Sequence, residues 1–169
     1  MLHPLRRWRR GEREGGFTLI ELMVVVLIIA ILIAIAIPTF LGARSRAQDR
    51  AAQASLRNAL VAAKSIYTDS QDYSRAVKIS VANDPLKNVE PSLSYQLASA
   101  ASTGLNDISA DSSASPATIW YGAVLSASGT CFYIKDDLST GTQFGSGAST
   151  ACKGSDAKGL ASASWKSKW

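Results

Sequence analysis

The sequence predicts an α+β protein: one long N-terminal α-helix, apolar in its first half and amphipathic in its second, packed against a small antiparallel β-meander head. Three observations carry that expectation. Leu22 to Ile37 is an unbroken run of aliphatic or methionine residues. Apolar residues then recur at three- and four-residue intervals as far as Asp69. The rest of the chain alternates short β-branched and aromatic runs with Ser, Gly, Asn and Pro turns. A length of 169 residues leaves room for one domain and an appendage. Charged residues make up 18%, below the usual figure of about 25%, which excludes charge-driven disorder.

Residues 1–16 read as a leader. Arg6, Arg7, Arg9, Arg10 and Arg13 stand there against Glu12 and Glu14, so three of the +5 net charges fall in this stretch. Residues 17–41 form the next segment. At about 1.5 Å per residue, a helix from Phe17 to Ile37 extends about 31 Å, the thickness of a bilayer's hydrocarbon core. The segment is therefore expected to cross a membrane, with the denser arginine cluster keeping the N-terminus cytoplasmic. Glu21 sits inside this apolar stretch. A carboxylate costs roughly 2.5 to 3.5 kcal/mol at the centre of a spanning helix and less toward an interface. It is either hydrated at headgroup level or paired with something.

The string Gly15-Gly16-Phe17-Thr18-Leu19-Ile20-Glu21-Leu22, after an arginine-rich leader and before an aliphatic run, resembles the class III signal of type IV pilins and their relatives, the secretion pseudopilins and competence pilins. The resemblance implies the pilin fold, cleavage by a prepilin peptidase between Gly16 and Phe17, N-methylation of Phe17, and a helical filament of identical subunits raised by a pilus assembly platform. It assigns Glu21 the axial register between subunits. The physics agrees: cleavage exposes an α-amino group that needs an anion in a low-dielectric helix bundle, and a neighbour's Glu21 can supply it. An ordinary secretory signal would instead cut near Ala34-Ile35-Ala36, a poor site inside a longer apolar run. Arg6-Arg7 lacks the rest of a twin-arginine signal.

Pro38 lacks an N–H and clashes with the preceding turn, so a kink is expected there, with Gly42 as a second weak point. In the family a proline matching Pro38 marks a stretch that can lose helical order in the fibre. Residues 42–70 continue as an amphipathic helix. Leu56, Ala59, Leu60, Ala63, Ile66 and Tyr67 make the stripe a head can cover, and Ala43, Ala47, Ala51 and Ala54 make a row small enough for close helix approach. Arg44, Arg46, Arg50, Arg57 and Lys64 could serve nucleic acid, as in competence relatives, but a charge run on a helix is usually a solvated face or a subunit contact.

Residues 71–169 form the head. The expected strands are Leu93 to Ala98, Asn106 to Asp111, Thr118 to Leu125 and Thr130 to Asp136, with a hairpin loop at Ser126 to Gly129. The segment after Ser139, rich in Gly, Ser, Ala and Thr, offers little to fill a core. Cys131 and Cys152 are either a bridge, which an exported domain would retain, or two buried thiols. The sequence around them also resembles the disulfide-closed C-terminal region of some pilins, which major secretion pseudopilins usually lack.

Nothing calls for an enzyme, a cofactor or a metal. His3 is the only histidine and lies in the leader. Asp107, Asp111, Asp136 and Asp137 lack calcium-loop spacing, and the Asp136-Asp137 pair reads as a solvated acidic turn. The tail Trp165-Lys166-Ser167-Lys168-Trp169 interleaves aromatic and basic residues as single-strand binders do, but a frayed end or subunit contact fits so short a stretch better. The sequence thus points to a structural subunit that passes from the cytoplasmic membrane into an extracellular fibre serving adhesion, motility or DNA uptake. A secretion pseudopilin and a DNA-binding competence pilin are the alternatives.

Overall fold

The computed structural model describes residues 16–80, 82–148 and 151–169; the leader expected at 1–16 lies outside the described residues except for Gly16. The chain divides into two compact units, 1–41 and 42–169. Helix α1, Leu19–Ser70, contributes to both and contains Pro38.

In the first unit the helix is naked. Every described residue from Gly16 to Leu41 is exposed, and the segment is long and apolar enough to cross a membrane by length and composition.

The second unit is built on the amphipathic half of α1. Leu56, Ala59, Leu60 and Ala63 are buried as the spacing requires, with Ala52, Ser55 and Ala62 beside them, while Ile66 and Tyr67 are half-buried. Ala43, Ala47, Ala51 and Ala54 stay exposed. The helix stops where Gln71 takes φ 55°. Asp72 then caps a 3-10 turn, Tyr73–Arg75, by accepting from Ser74 N at 2.8 Å. The same carboxylate accepts from Ala117 N at 2.7 Å and Ser115 Oγ at 2.9 Å, pinning the loop before the sheet's third strand. A short helix α2, Pro85–Val89, follows. Asp84 caps it, Pro85 opens it, and its Leu86 is buried.

The sheet has five strands in chain order: β1 Ser94–Gln96, β2 Asp107–Ser112, β3 Ile119–Leu125, β4 Thr130–Asp137 and β5 Gly141–Ala148. From β2 to β5 it is the expected antiparallel meander. β1 departs from it, pairing parallel to β2 with Ser94 opposite Asp107. No tight turn joins them; the intervening loop returns along the sheet, held where Ser102 N donates to Cys152 O at 2.8 Å and Ser102 Oγ accepts from Leu125 N at 2.8 Å. A parallel pair needs such a return path.

Two elements appear where the sequence looked empty, β5 and a helix α3, Gly154–Gly159. β5 is stabilised by its backbone ladder with β4, which asks little of its small side chains. α3 approaches so closely that a Cβ on Gly154 would lie 2.7 Å from the carbonyl carbon of Ala110.

Trp120 is fully buried at the centre, and its Nε1 donates to Ala76 O at 2.7 Å. Gly122, two residues on and therefore on the same sheet face, leaves room for that ring: a Cβ there would meet Trp120 Cη2 at 2.7 Å and Leu56 Cδ1 at 2.9 Å. Ile108, Val124, Ile134 and Tyr95 complete the layer against α1.

Candidate functional site

At the start of α1, Gly16 precedes the helix and Phe17 is 86% exposed. Thr18 Oγ1 accepts from Glu21 N at 3.3 Å, while Glu21 Oε2 accepts from Thr18 N at 2.9 Å and from Thr18 Oγ1 at 2.7 Å. This is a reciprocal capping box, which satisfies donors that a helix start otherwise leaves open. Thr18 escaped notice in the sequence, although the Thr-x-x-Glu spacing before an apolar run is its signature. Both bonds fall on Oε2, so Oε1 keeps its acceptor capacity. Gly16, Phe17 and Glu21 thus share one exposed stretch.

Further along, α1 passes through Pro38 with Thr39 Oγ1 donating to the carbonyls of Ile35 at 3.2 Å and Ala36 at 2.9 Å. These are carbonyls in the turn that the proline disturbs. Gly42 is half-buried at the first position of the second unit.

Within the second unit, Cys131 and Cys152 form a disulfide with Cα atoms 5.6 Å apart, both buried beside Ala123, Tyr133 and Ala157. The bridge ties β4 to the residues just before α3. Asp136 corrects the solvated-turn reading. It is 4% exposed and accepts from Tyr73 Oη at 2.7 Å and Thr142 Oγ1 at 2.5 Å, with Lys64 Nζ at 3.0 Å. Strand alternation sends it inward and leaves Asp137 at the turn with Ser139. Burial pushes the Asp136 carboxyl up, but the bonds from Thr142, Tyr73 and Lys64 outweigh it and hold the group below the usual carboxylate range. Burial, with Asp136 adjacent, raises Tyr73 far above an ordinary phenol, so it remains a donor.

Three further carboxylates, Asp107, Asp111 and Asp49, also have partners. Asp107 accepts from Thr103 N and Oγ1 and from Gln96 Nε2, and Asp111 lies 3.7 Å from Lys158 Nζ. Asp49 of α1 accepts from Ser126 Oγ at 2.7 Å and from Ser128 Oγ, fastening the β3–β4 hairpin.

The tail is docked rather than frayed. Phe144 and Lys166 exchange backbone bonds of 2.8 and 2.9 Å. Trp169 packs on Phe144 and Phe132, and its Nε1 donates to Gly145 O at 2.8 Å. Arg57 lies 4.8 Å from the Trp169 ring centre, and Lys135 lies 5.4 Å from that of Trp165. The two tryptophans of the tail thus each meet a basic residue from elsewhere in the second unit.

A helix left naked behind Gly16, Phe17 and Glu21, together with an α+β head closed by a disulfide, defines a pilin-type architecture. Residues 13–37 match the family described as the prokaryotic N-terminal methylation motif. A relative, the type IV major pilin protein PilA of Myxococcus xanthus (strain DK1622), is 44% identical over 70 residues, which are 41% of this chain and 32% of the relative. The chain therefore spans about a third of that curated relative's length. No solved structure matches the chain. The likeness to a type IV pilin rests on this motif and on these 70 residues.

Proposed function

We propose that the chain is a structural pilin subunit. A prepilin peptidase cuts it between Gly16 and Phe17, the new Phe17 amine is methylated, and α1 holds the subunit in the cytoplasmic membrane with its N-terminus on the cytoplasmic side. An assembly platform then stacks copies into an extracellular helical filament. The observation that carries this reading is the helix from Leu19 to Leu41, exposed along its whole length and lying, as far as Ile37, within the matched methylation motif. Water is a poor solvent for such a surface, since each fully exposed Leu, Ile or Val forgoes roughly 1.5 to 3 kcal/mol. Lipid covers it before assembly and sister helices cover it afterward.

Glu21 supplies register. Its Oε2 is held by Thr18, so the side chain is fixed at the helix start with Oε1 available to a neighbour's Phe17 amine. Pro38 and Gly42 are the points where α1 adjusts to fibre packing. The disulfide favours a pilus subunit over a secretion piston. Glu21→Ala tests the mechanism: the variant is expected to insert in the membrane and lose Phe17-headed fibres under the electron microscope. Fibres of normal number and length would refute the register role. A mature N-terminus other than methylated Phe17 in wild-type mass spectra would refute the processing itself.

A further inference from the structure

Between Glu21 and Asp69 the only acidic residue is Asp49, whereas Arg44, Arg46, Arg50, Arg57 and Lys64 are basic. The head takes up two of the five: Lys64 pairs with Asp136 at 3.0 Å and Arg57 stacks on Trp169. It also takes up Asp49, through Ser126 and Ser128. Arg44, Arg46 and Arg50 remain exposed, and none enters a salt bridge among the described residues. Their placement around the helix is unusual for a protein-facing patch. At about 100° per residue, Arg46 and Arg50 lie about 40° apart, while Arg44 lies about 160° from Arg46 and about 120° from Arg50, on the other side of the helix. They form a collar rather than a stripe. A partner protein or a duplex would engage one face of the helix, whereas a planar layer pierced by the helix meets every side at once.

We infer that Arg44, Arg46 and Arg50 form a collar that grips the phosphate groups of anionic phospholipids on the outer face of the cytoplasmic membrane. The inference rests on the membrane-anchored subunit proposed above. Guanidinium forks match phosphate geometry, and long arginine stems let the charged heads reach back toward the headgroup layer. The collar also selects a register for the span. Leu22 to Leu41 is 20 residues, about 30 Å of helix and one hydrocarbon thickness. With that stretch in the bilayer, Arg44 follows the hydrocarbon by three residues and Glu21 stands at the opposite headgroup layer, so its carboxylate avoids the bilayer interior before assembly. A span of Phe17 to Ile37 would instead place Glu21 in hydrocarbon and carry all three arginines about 6 Å further from it. Extraction into a fibre must then break the arginine–phosphate contacts.

The test uses the full chain in vesicles of phosphatidylcholine with trace spin-labelled phosphatidylglycerol or phosphatidylcholine, comparing wild type with the triple variant Arg44→Gln, Arg46→Gln, Arg50→Gln. The wild-type preference for the phosphatidylglycerol label is expected to fall at least about threefold in the triple variant and to be partly retained when all three positions are lysine, which keeps the charge but not the fork. The leader arginines are the same in all three proteins and drop out of the comparison. Equal preference in wild type and triple variant, both resistant to carbonate extraction, would overturn the collar. Carbonate extraction of the wild type would instead overturn the membrane anchor. A triple variant that loses duplex DNA binding while keeping its lipid preference would reassign the arginines to nucleic acid.

Discussion

Asp136 is the residue on which the second unit's architecture can be tested most sharply. Its carboxylate gathers Lys64 of α1, Tyr73 of the 3-10 turn and Thr142 of β5. In Asp136→Ala these partners fare differently. Lys64 is half exposed and turns to water, and Thr142 is only half-buried, so both rehydrate at small cost. Tyr73 is 1% exposed, so its hydroxyl is left without an acceptor in the core. A stranded buried donor costs about 1 to 3 kcal/mol, and loss of the charged hydrogen bonds, offset by relief of a buried charge, brings the total to about 3 kcal/mol. Tyr73→Phe alone removes one of three donors and is expected to cost about 1 kcal/mol. Since most of the Asp136→Ala penalty is the stranded hydroxyl, the double variant should cost less than the two singles added, by about 1 to 2 kcal/mol. Urea unfolding of the full chain in detergent, followed by tryptophan emission, to which buried Trp120 contributes, measures all three. Strict additivity would refute the assignment of Tyr73 as the donor whose satisfaction depends on Asp136.

Gly122→Ala places a methyl group against the Trp120 ring and Leu56; because the indole is tethered to Ala76 O, a loss of about 1 to 3 kcal/mol is expected in the same unfolding assay. Reducing the Cys131–Cys152 bridge, whose residues are 21 apart, should remove about 3 kcal/mol on the chain-entropy estimate, seen as a lower urea midpoint with dithiothreitol. Acid should destabilise the second unit. Asp136, Asp137 and Asp72 are all held below their ordinary values, so their contribution is complete above about pH 4, the unfolded value, and is lost as pH falls through the folded ones. Unfolding midpoints should be level from pH 5 to 7 on this account, drop below about pH 4, and drop less steeply in Asp136→Asn.

The sequence was most legible where one physical requirement repeats over many residues. The apolar run and the three–four spacing of Leu56, Ala59, Leu60 and Ala63 announce α1 because a helix must present one face over and over. β3 and β4 are announced by β-branched and aromatic runs around Ser126 to Gly129. β5 was illegible because its stability lies in backbone bonds to β4, and Thr142, Gln143, Gly145 and Gly147 carry no apolar alternation to advertise it. α3 was hidden for a related reason: Gly154 is valuable for the side chain it lacks, letting the backbone of α3 approach Ala110. Asp136 was misread because adjacency to Asp137 looks like a solvated turn, and only the ladder's register, Asp136 opposite Trp120 on β3 and Thr142 on β5, shows which of the two enters the core.

The N-terminal stretch divides along the same line. Gly16, Phe17 and Glu21 are legible because they form a contiguous string, and Thr18 was overlooked only because a charged residue in an apolar run draws attention outward, to lipid or a neighbour, before inward. Its bonds to Glu21 change the physical account of that residue. A carboxylate that already caps its own helix is oriented in advance, so in the proposed filament docking a neighbour's amine need not include the entropy of fixing the side chain. Thr18→Val should therefore weaken assembly without removing any charge. Fibre yield measured beside Glu21→Ala is expected to be intermediate, and a yield equal to wild type would mean that the capping box is helix-start chemistry alone.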